Sequence, residues 1–322
     1  MQPLRHPDIR SPKHAAGRYG WFFVAATVIL FQASDISLRV ASVGTHYTAG
    51  AVLQAIPLLL LALTTAFVKR RTLPRSIPTS GWAAAAGYGC LQFLAGNVLF
   101  YVAVQLGGLS IASPAVQSQA IWAVLIGGVL LREPISRTMV GGIALFVTGL
   151  ALMFGYKSAG MPLTIGTAWA FVFGLAGGLS WASASAVLRA RLRSGMAPAQ
   201  VLAVGAASGI VLLNVLIALV YDSAEVWATV TPEGALRLIA AGCFNGLAIW
   251  SFSYALRTIR MSKAIPVVSL SIVLNTIIGG VYFNEYVNTG SICGMLIAFL
   301  GVIIVQEPRV GGSRNRTENR VP

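Results

Sequence analysis

Residues 110–133 read SIASPAVQSQAIWAVLIGGVLLRE, and residues 262–285 read SKAIPVVSLSIVLNTIIGGVYFNE. At a shift of 152 positions the two stretches align without a gap. Ser110 meets Ser262, Ala112 meets Ala264, Pro114 meets Pro266 and Val116 meets Val268. Ile126-Gly127-Gly128-Val129 then meets Ile278-Gly279-Gly280-Val281, and Glu133 meets Glu285. The match extends outward on both sides. Phe100 and Ala103 fall on Phe252 and Ala255, while Gly142 and Gly149 fall on Gly294 and Gly301. Gly, Ala and Val coincide by chance in an apolar chain; paired prolines and glutamates do not. A shift near 150 also sets Leu38-Arg39 on Leu188-Arg189. The chain is therefore read as two copies of one unit.

The solvent of that unit follows from composition. Of 322 residues, 56% are hydrophobic and 10% charged, with mean hydropathy +0.77. A water-soluble domain carries about 25% charged residues, so this chain cannot cover a water-facing surface. A soluble enzyme and a disordered scaffold are both excluded. A spanning helix needs about 20 mostly apolar residues. Ten runs qualify, near 20–41, 47–68, 80–104, 110–131, 137–155, 166–190, 198–220, 234–256, 264–284 and 289–306. None alternates as a barrel strand does, and backbone groups in lipid must be satisfied internally, so the runs are helices. The expected fold is an all-α polytopic membrane protein of ten transmembrane helices, arranged as two inverted five-helix repeats. An odd number of helices per unit turns the second copy upside down, which is the plan of many secondary transporters. The expected division is an N-terminal tail at 1–19, a first repeat at 20–155, an outer linker at 156–165, a second repeat at 166–306 and a disordered tail at 307–322.

Charge sets the expected orientation. Net charge is +14, with 23 Lys+Arg against 9 Asp+Glu. With both termini in the cytoplasm, 20 of the 23 basic residues lie inside; Arg39, Lys157 and Arg237 are the exceptions. The longest outer loop, near 221–233, carries Asp222, Glu225 and Glu233 instead. This is the positive-inside pattern of a multi-pass protein of the inner (plasma) membrane. Trp21, Trp82, Trp169 and Trp227 fall at expected helix ends, as an interfacial belt requires. The basic residues form no face with interleaved aromatics, so nucleic acid is not expected as a partner.

Other chemistry finds little support. Cys90, Cys243 and Cys293 each sit in an apolar run, and His6, His14 and His46 form no ligand cluster, so neither a metal nor another cofactor is expected. No GxxxxGK[ST] is present, so any transport energy must come from a gradient or from the solute itself. Gly178-Leu-Ser180-Trp-Ala182 fails GxSxG, and no nucleophile–base pair is apparent, so no catalytic residue is assigned. The N-terminal tail has no signal-peptide cleavage pattern.

With its five-plus-five plan and twice-seen Pro…Gly-Gly…Glu pattern, the chain resembles the drug/metabolite transporter superfamily in its ten-helix EamA-like permease branch. The resemblance covers about residues 20–306. It implies a secondary transporter that moves a small solute by alternating access, with efflux the expected direction. An intramembrane enzyme, a structural membrane protein, a gradient-independent facilitator and an importer are the alternatives. No Lys or Arg lies deep in the eighth or ninth span, which argues against phosphorylated sugars. The expected solute is a small neutral, zwitterionic or cationic metabolite.

The candidate binding residues are the polar and aromatic side chains inside spans: Gln32, Asp35, Gln92, Asn97, Tyr101, Gln117, Trp181, Asn245, Trp250 and Ser269. Asp35 is the only acid placed within a span, and an intramembrane acid is a functional candidate by default. Arg39, one helical turn on, shares its face. The pair is read either as a coupling site or as a closure of the outer end of the first span. Pro114 and Pro266 are candidate hinges, since proline frees the carbonyl four residues back. Gly290, Gly294 and Ala298 form a small-residue stripe for close helix packing, within the fold or in a homodimer.

Overall fold

The computed structural model describes residues 12–41, 44–71, 73–74, 77–133, 135–159, 165–282 and 289–306. Among these there is no strand. The helices are α1 (Pro12–Ala41), α2 (Tyr47–Val68), α3 (Thr79–Gly89), a π-helical segment (Cys90–Asn97), α4 (Val98–Val116), α5 (Gln119–Val129) and α6 (Arg137–Ala159). They continue as α7 (Ile165–Arg193), α8 (Pro198–Val220), α9 (Ser223–Ala228), α10 (Pro232–Thr258), α11 (Met261–Val268), α12 (Ser271–Tyr282) and α13 (Thr289–Gln306).

Among the described residues, six helical stretches are long and apolar enough to cross a membrane: Tyr19–Ala41, Tyr47–Val68, Thr79–Gly108, Ala168–Arg193, Pro198–Val220 and Pro232–Thr258. Shorter apolar helices cover Arg137–Leu152 and Ile292–Val305. The expected spans 4 and 9 are not continuous helices. Span 4 is the end of α4 plus α5, broken at Gln117–Ser118; span 9 is α11 plus α12, broken at Ser269–Leu270. Each break lies three residues beyond a proline, Pro114 or Pro266. Each is bridged by a tightened i→i−3 bond at equivalent positions, Ser118 N to Ala115 O at 3.1 Å and Leu270 N to Val267 O at 3.0 Å.

Three further details refine the expected spans. Span 3 is one helical stretch, Thr79–Gly108, whose middle is π-helical over Cys90–Asn97. Spans 3 and 4 are not separated by a loop; the chain turns within α4 at Gly108, where φ is +68° and only glycine fits without strain. The first span lies at Tyr19–Ala41, as expected, and its helix continues outward to Pro12, since proline suits the first helical position. In the expected outer loop, Asp222 accepts a bond from Ala224 N at 2.8 Å and starts the short α9. Glu285 and the span-9 residues beyond Tyr282 lie outside the described residues.

The main interfaces join one copy of the repeat to the other. α1 packs on α10, and α7 packs on the α3–α4 helix, which is the equivalent pairing with the copies exchanged. α2 packs on α8, and α6 packs on α13. Small residues permit the last contact. A Cβ on Gly149 would reach Gly294 O at 2.5 Å, and one on Gly142 would reach Gly301 O at 2.7 Å. These two contacts are equivalent under the repeat. The Gly294/Ala298 stripe is thus used inside the fold, against α6. Trp82, Trp169 and Trp227 keep exposed surface near helix ends, and Trp21 does so near the start of the first span.

Candidate solute cavity

The π-helical segment prepares one wall of a cavity in the middle of the bundle. Widening the helix releases backbone carbonyls from their usual partners. α7 supplies donors to two of them: Ser180 Oγ donates to Leu91 O at 2.7 Å and Trp181 Nε1 to Gln92 O at 3.2 Å. Trp181 Nε1 also reaches Asn97 Oδ1 at 3.2 Å, and its ring lies 5.2 Å from that of Phe100. Gly96 lets the indole approach, because a Cβ there would collide with it.

Around this wall, α1 contributes Phe31, Ser34, Asp35 and Leu38, and α2 contributes Gln54. α10 adds Asn245, Ile249 and Phe252, and the two broken helices add Gln117, Gln119, Ile265 and Ser271. The cavity offers about 70 Å³ to the centres of water molecules. One water needs about 10–15 Å³ by this measure, so there is room for a solute of several heavy atoms. Asp35 is the only charged side chain on the wall among the described residues.

Hydrogen bonds knit the polar wall across helices. Asn97 Nδ2 donates to Gln54 Oε1 at 3.4 Å, and Gln54 Nε2 donates to Ser34 Oγ at 3.4 Å. Gln119 Nε2 donates to Gln117 Oε1, and Gln117 Nε2 to Ser271 Oγ, each at 3.1 Å. Behind Asp35 stands Asn275 of α12. Its Nδ2 donates to Asp35 Oδ2 and to Ser113 Oγ, both at 3.0 Å, and its Oδ1 accepts from Gln32 Nε2.

The structure brings Asp35, Gln92, Asn97, Gln117, Trp181 and Asn245 together on the wall. It places the other candidates elsewhere. Gln32 lies behind the wall, bound to Asn275. Tyr101 is buried against Gly50, with its hydroxyl unpartnered. Trp250 packs on Tyr254, with ring centroids 5.8 Å apart. Ser269 is fully buried at the α11–α12 break, although its repeat mate Gln117 reaches the cavity. Arg39 lies one turn beyond Asp35, near the end of α1. Pro114 and Pro266 lie just before the two breaks.

Sequence reading missed a second polar centre. Arg189 is one of the basic residues expected on the cytoplasmic side, yet it is buried on α7, and Glu133 is buried beside it. Arg189 Nε lies 2.8 Å from Glu133 Oε1. Glu133 also accepts from Met261 N at 3.3 Å, Ser262 N at 3.1 Å and Ser262 Oγ at 2.7 Å. Arg189 Nη1 donates to Leu256 O at 2.5 Å and to Ile259 O. The repeat did mark both residues, as mates of Glu285 and Arg39, but spacing does not reveal that they meet.

Two like halves of apolar helices, interlocked around a polar cavity and broken beside it, define a multi-pass membrane transporter. The chain belongs to the EamA-like transporter family, whose sequence model matches it twice, over residues 18–155 and 168–306. This is a family of transporters, not of enzymes. A solved structure described as "Crystal structure of protein" is similar over 91% of this chain and 96% of its own, with a TM-score of 0.70 at 14% identity, a likeness of fold alone. No curated protein matches the chain in sequence.

Proposed function

We propose that the chain is a secondary transporter that exports a small cationic, zwitterionic or neutral metabolite by alternating access. One observation carries the solute class. Among the described residues the cavity wall holds a single charged group, the carboxylate of Asp35, beside amides, hydroxyls and aromatic rings. An anion there would be repelled by Asp35, whereas an ammonium would be attracted by Asp35 and by the faces of Trp181 and Phe100. Ten spans with both termini inside the inner membrane agree with the basic-residue bias. In that orientation the Glu133–Arg189 end faces the cytoplasm.

The test is flux in inside-out vesicles with a panel of labelled amines, amino acids and monocarboxylates. Accumulation of amines or amino acids, reduced at least about tenfold in Asp35→Asn, is expected. Transport of monocarboxylates alone, or amine flux undiminished by Asp35→Asn, overturns the assignment.

A further inference from the structure

We infer that Glu133, Arg189 and the amino end of α11 form the cytoplasmic gate of the cavity, a closure that must open once in every transport cycle. The inference rests on the transporter reading but concerns a different part of the molecule. The closure crosses the boundary between the halves. Glu133 follows α5 of the first repeat, while Arg189, Met261 and Ser262 belong to the second. It also forms the floor of the cavity. Leu188 and Ile265 line the wall, and they stand one residue from Arg189 and three residues from Ser262.

The local backbone is built to deliver Glu133 to this place. Arg132 adopts φ +52°, a left-handed conformation costly for a non-glycine residue. The turn brings Glu133 N back to Gly127 O at 2.9 Å and aims the side chain into the bundle. Gly127 leaves room for it, since a Cβ there would lie 3.2 Å from Glu133 Oε2 and 3.6 Å from Ser262 Cβ. Gly128 leaves room for Ile135 in the same turn. The Gly-Gly…Glu pattern that repeats in the sequence is, in this copy, the mould of the closure.

Charge suits a closure that must reopen. An apolar seal would gain free energy each time it left water and would resist opening. A buried ion pair gains attraction on closing but loses the hydration of both ions, and the two terms nearly cancel. Arg193 Nη2 stands 4.0 Å from Glu133 Oε1 with its side chain half exposed, which gives water a route to the pair. The breaks at Gln117–Ser118 and Ser269–Leu270 supply joints on both sides of the closure.

The experiment uses the full chain in oriented vesicles, with Cys90, Cys243 and Cys293 replaced by alanine and Ser185→Cys as a reporter on the cavity wall. A membrane-impermeant maleimide is applied from the cytoplasmic side. Glu133→Gln, which keeps an acceptor for Ser262, should speed labelling by on the order of tenfold or more. Glu133→Gln/Arg189→Met removes both charges, leaves no lone buried ion and should also label faster; it is read if the single variant fails to fold. Unchanged labelling in the variants that fold, with the cavity intact, overturns the gate. Labelling needs no solute, so its failure is distinct from failure of the flux test. Faster cytoplasmic labelling with outer labelling unchanged or slowed separates a gate from general loosening, which would raise both and overturn the inference.

Discussion

Asn275→Leu is the sharpest test of how the cavity is held together. Asn275 ties three helices at one point. It donates to Asp35 on α1 and Ser113 on α4 from its own place on α12, and it accepts from Gln32. Leucine is nearly isosteric and removes all three bonds. At the roughly 0.6 kcal/mol averaged by interhelical bonds in membranes, their loss is worth about 2 kcal/mol. Gln32 adds to this. Its Oε1 is already buried without a partner, and the substitution strands its amide nitrogen too. A newly unsatisfied buried group costs about 1–3 kcal/mol, so the total expected is about 3–5 kcal/mol. Reversible unfolding in mixed detergent micelles measures it. A double-mutant cycle with Asp35→Asn isolates the Asp35–Asn275 term, expected at about 0.6 kcal/mol and at most about 1.7 kcal/mol. An Asn275→Leu variant within about 0.5 kcal/mol of the parent, or a cycle with no coupling, would refute the network as a structural tie.

Asn245→Leu and Gln117→Leu should each cut flux several-fold while leaving yield and thermal stability close to the parent, as measured by transport in vesicles and melting in detergent; wild-type rates in both would remove the α4 and α10 walls from the solute path. Gly96→Val should displace Trp181 from Asn97 and Gln92 O, read as a shift in indole fluorescence and loss of flux, whereas Gly141→Ala, with open space around it, should be silent. At the start of α2, burial pushes the His46 imidazole below its ordinary value. The unfolded chain then binds more protons than the folded one just below pH 6.5, so stability should fall as pH drops through that window. Melting between pH 7.5 and 5.5 should show a smaller decline in His46→Gln.

The comparison of sequence with structure turns on which interactions are local. Membrane residence, the two copies and the family could be read from residues 110–133 and 262–285 with the surrounding composition, because hydropathy and repetition are properties of the chain itself. The carboxylate of Asp35 was visible for the same reason: an acid within an apolar run stands out. The helix breaks were half visible. Pro114 and Pro266 marked them, but a proline near a helix start and one near a break look alike in sequence. Sequence also overestimated helix continuity, because apolar length does not register the π-helical widening at Cys90–Asn97 or the turn at Gly108.

Which polar side chains share a cavity was decided only by tertiary structure. Gln117 and Ser269 are repeat mates, each three residues after a proline and next to a valine, yet one faces the cavity and the other is buried at a break. A helix offers several faces, and its rotation is set by the helices packed against it. The Glu133–Arg189 pair shows the same limit more strongly. The two residues lie 56 positions apart, in different copies of the repeat, and each looks like an ordinary loop charge. Only the docking of one half on the other buries them together, because the interaction belongs to the interface and not to either segment.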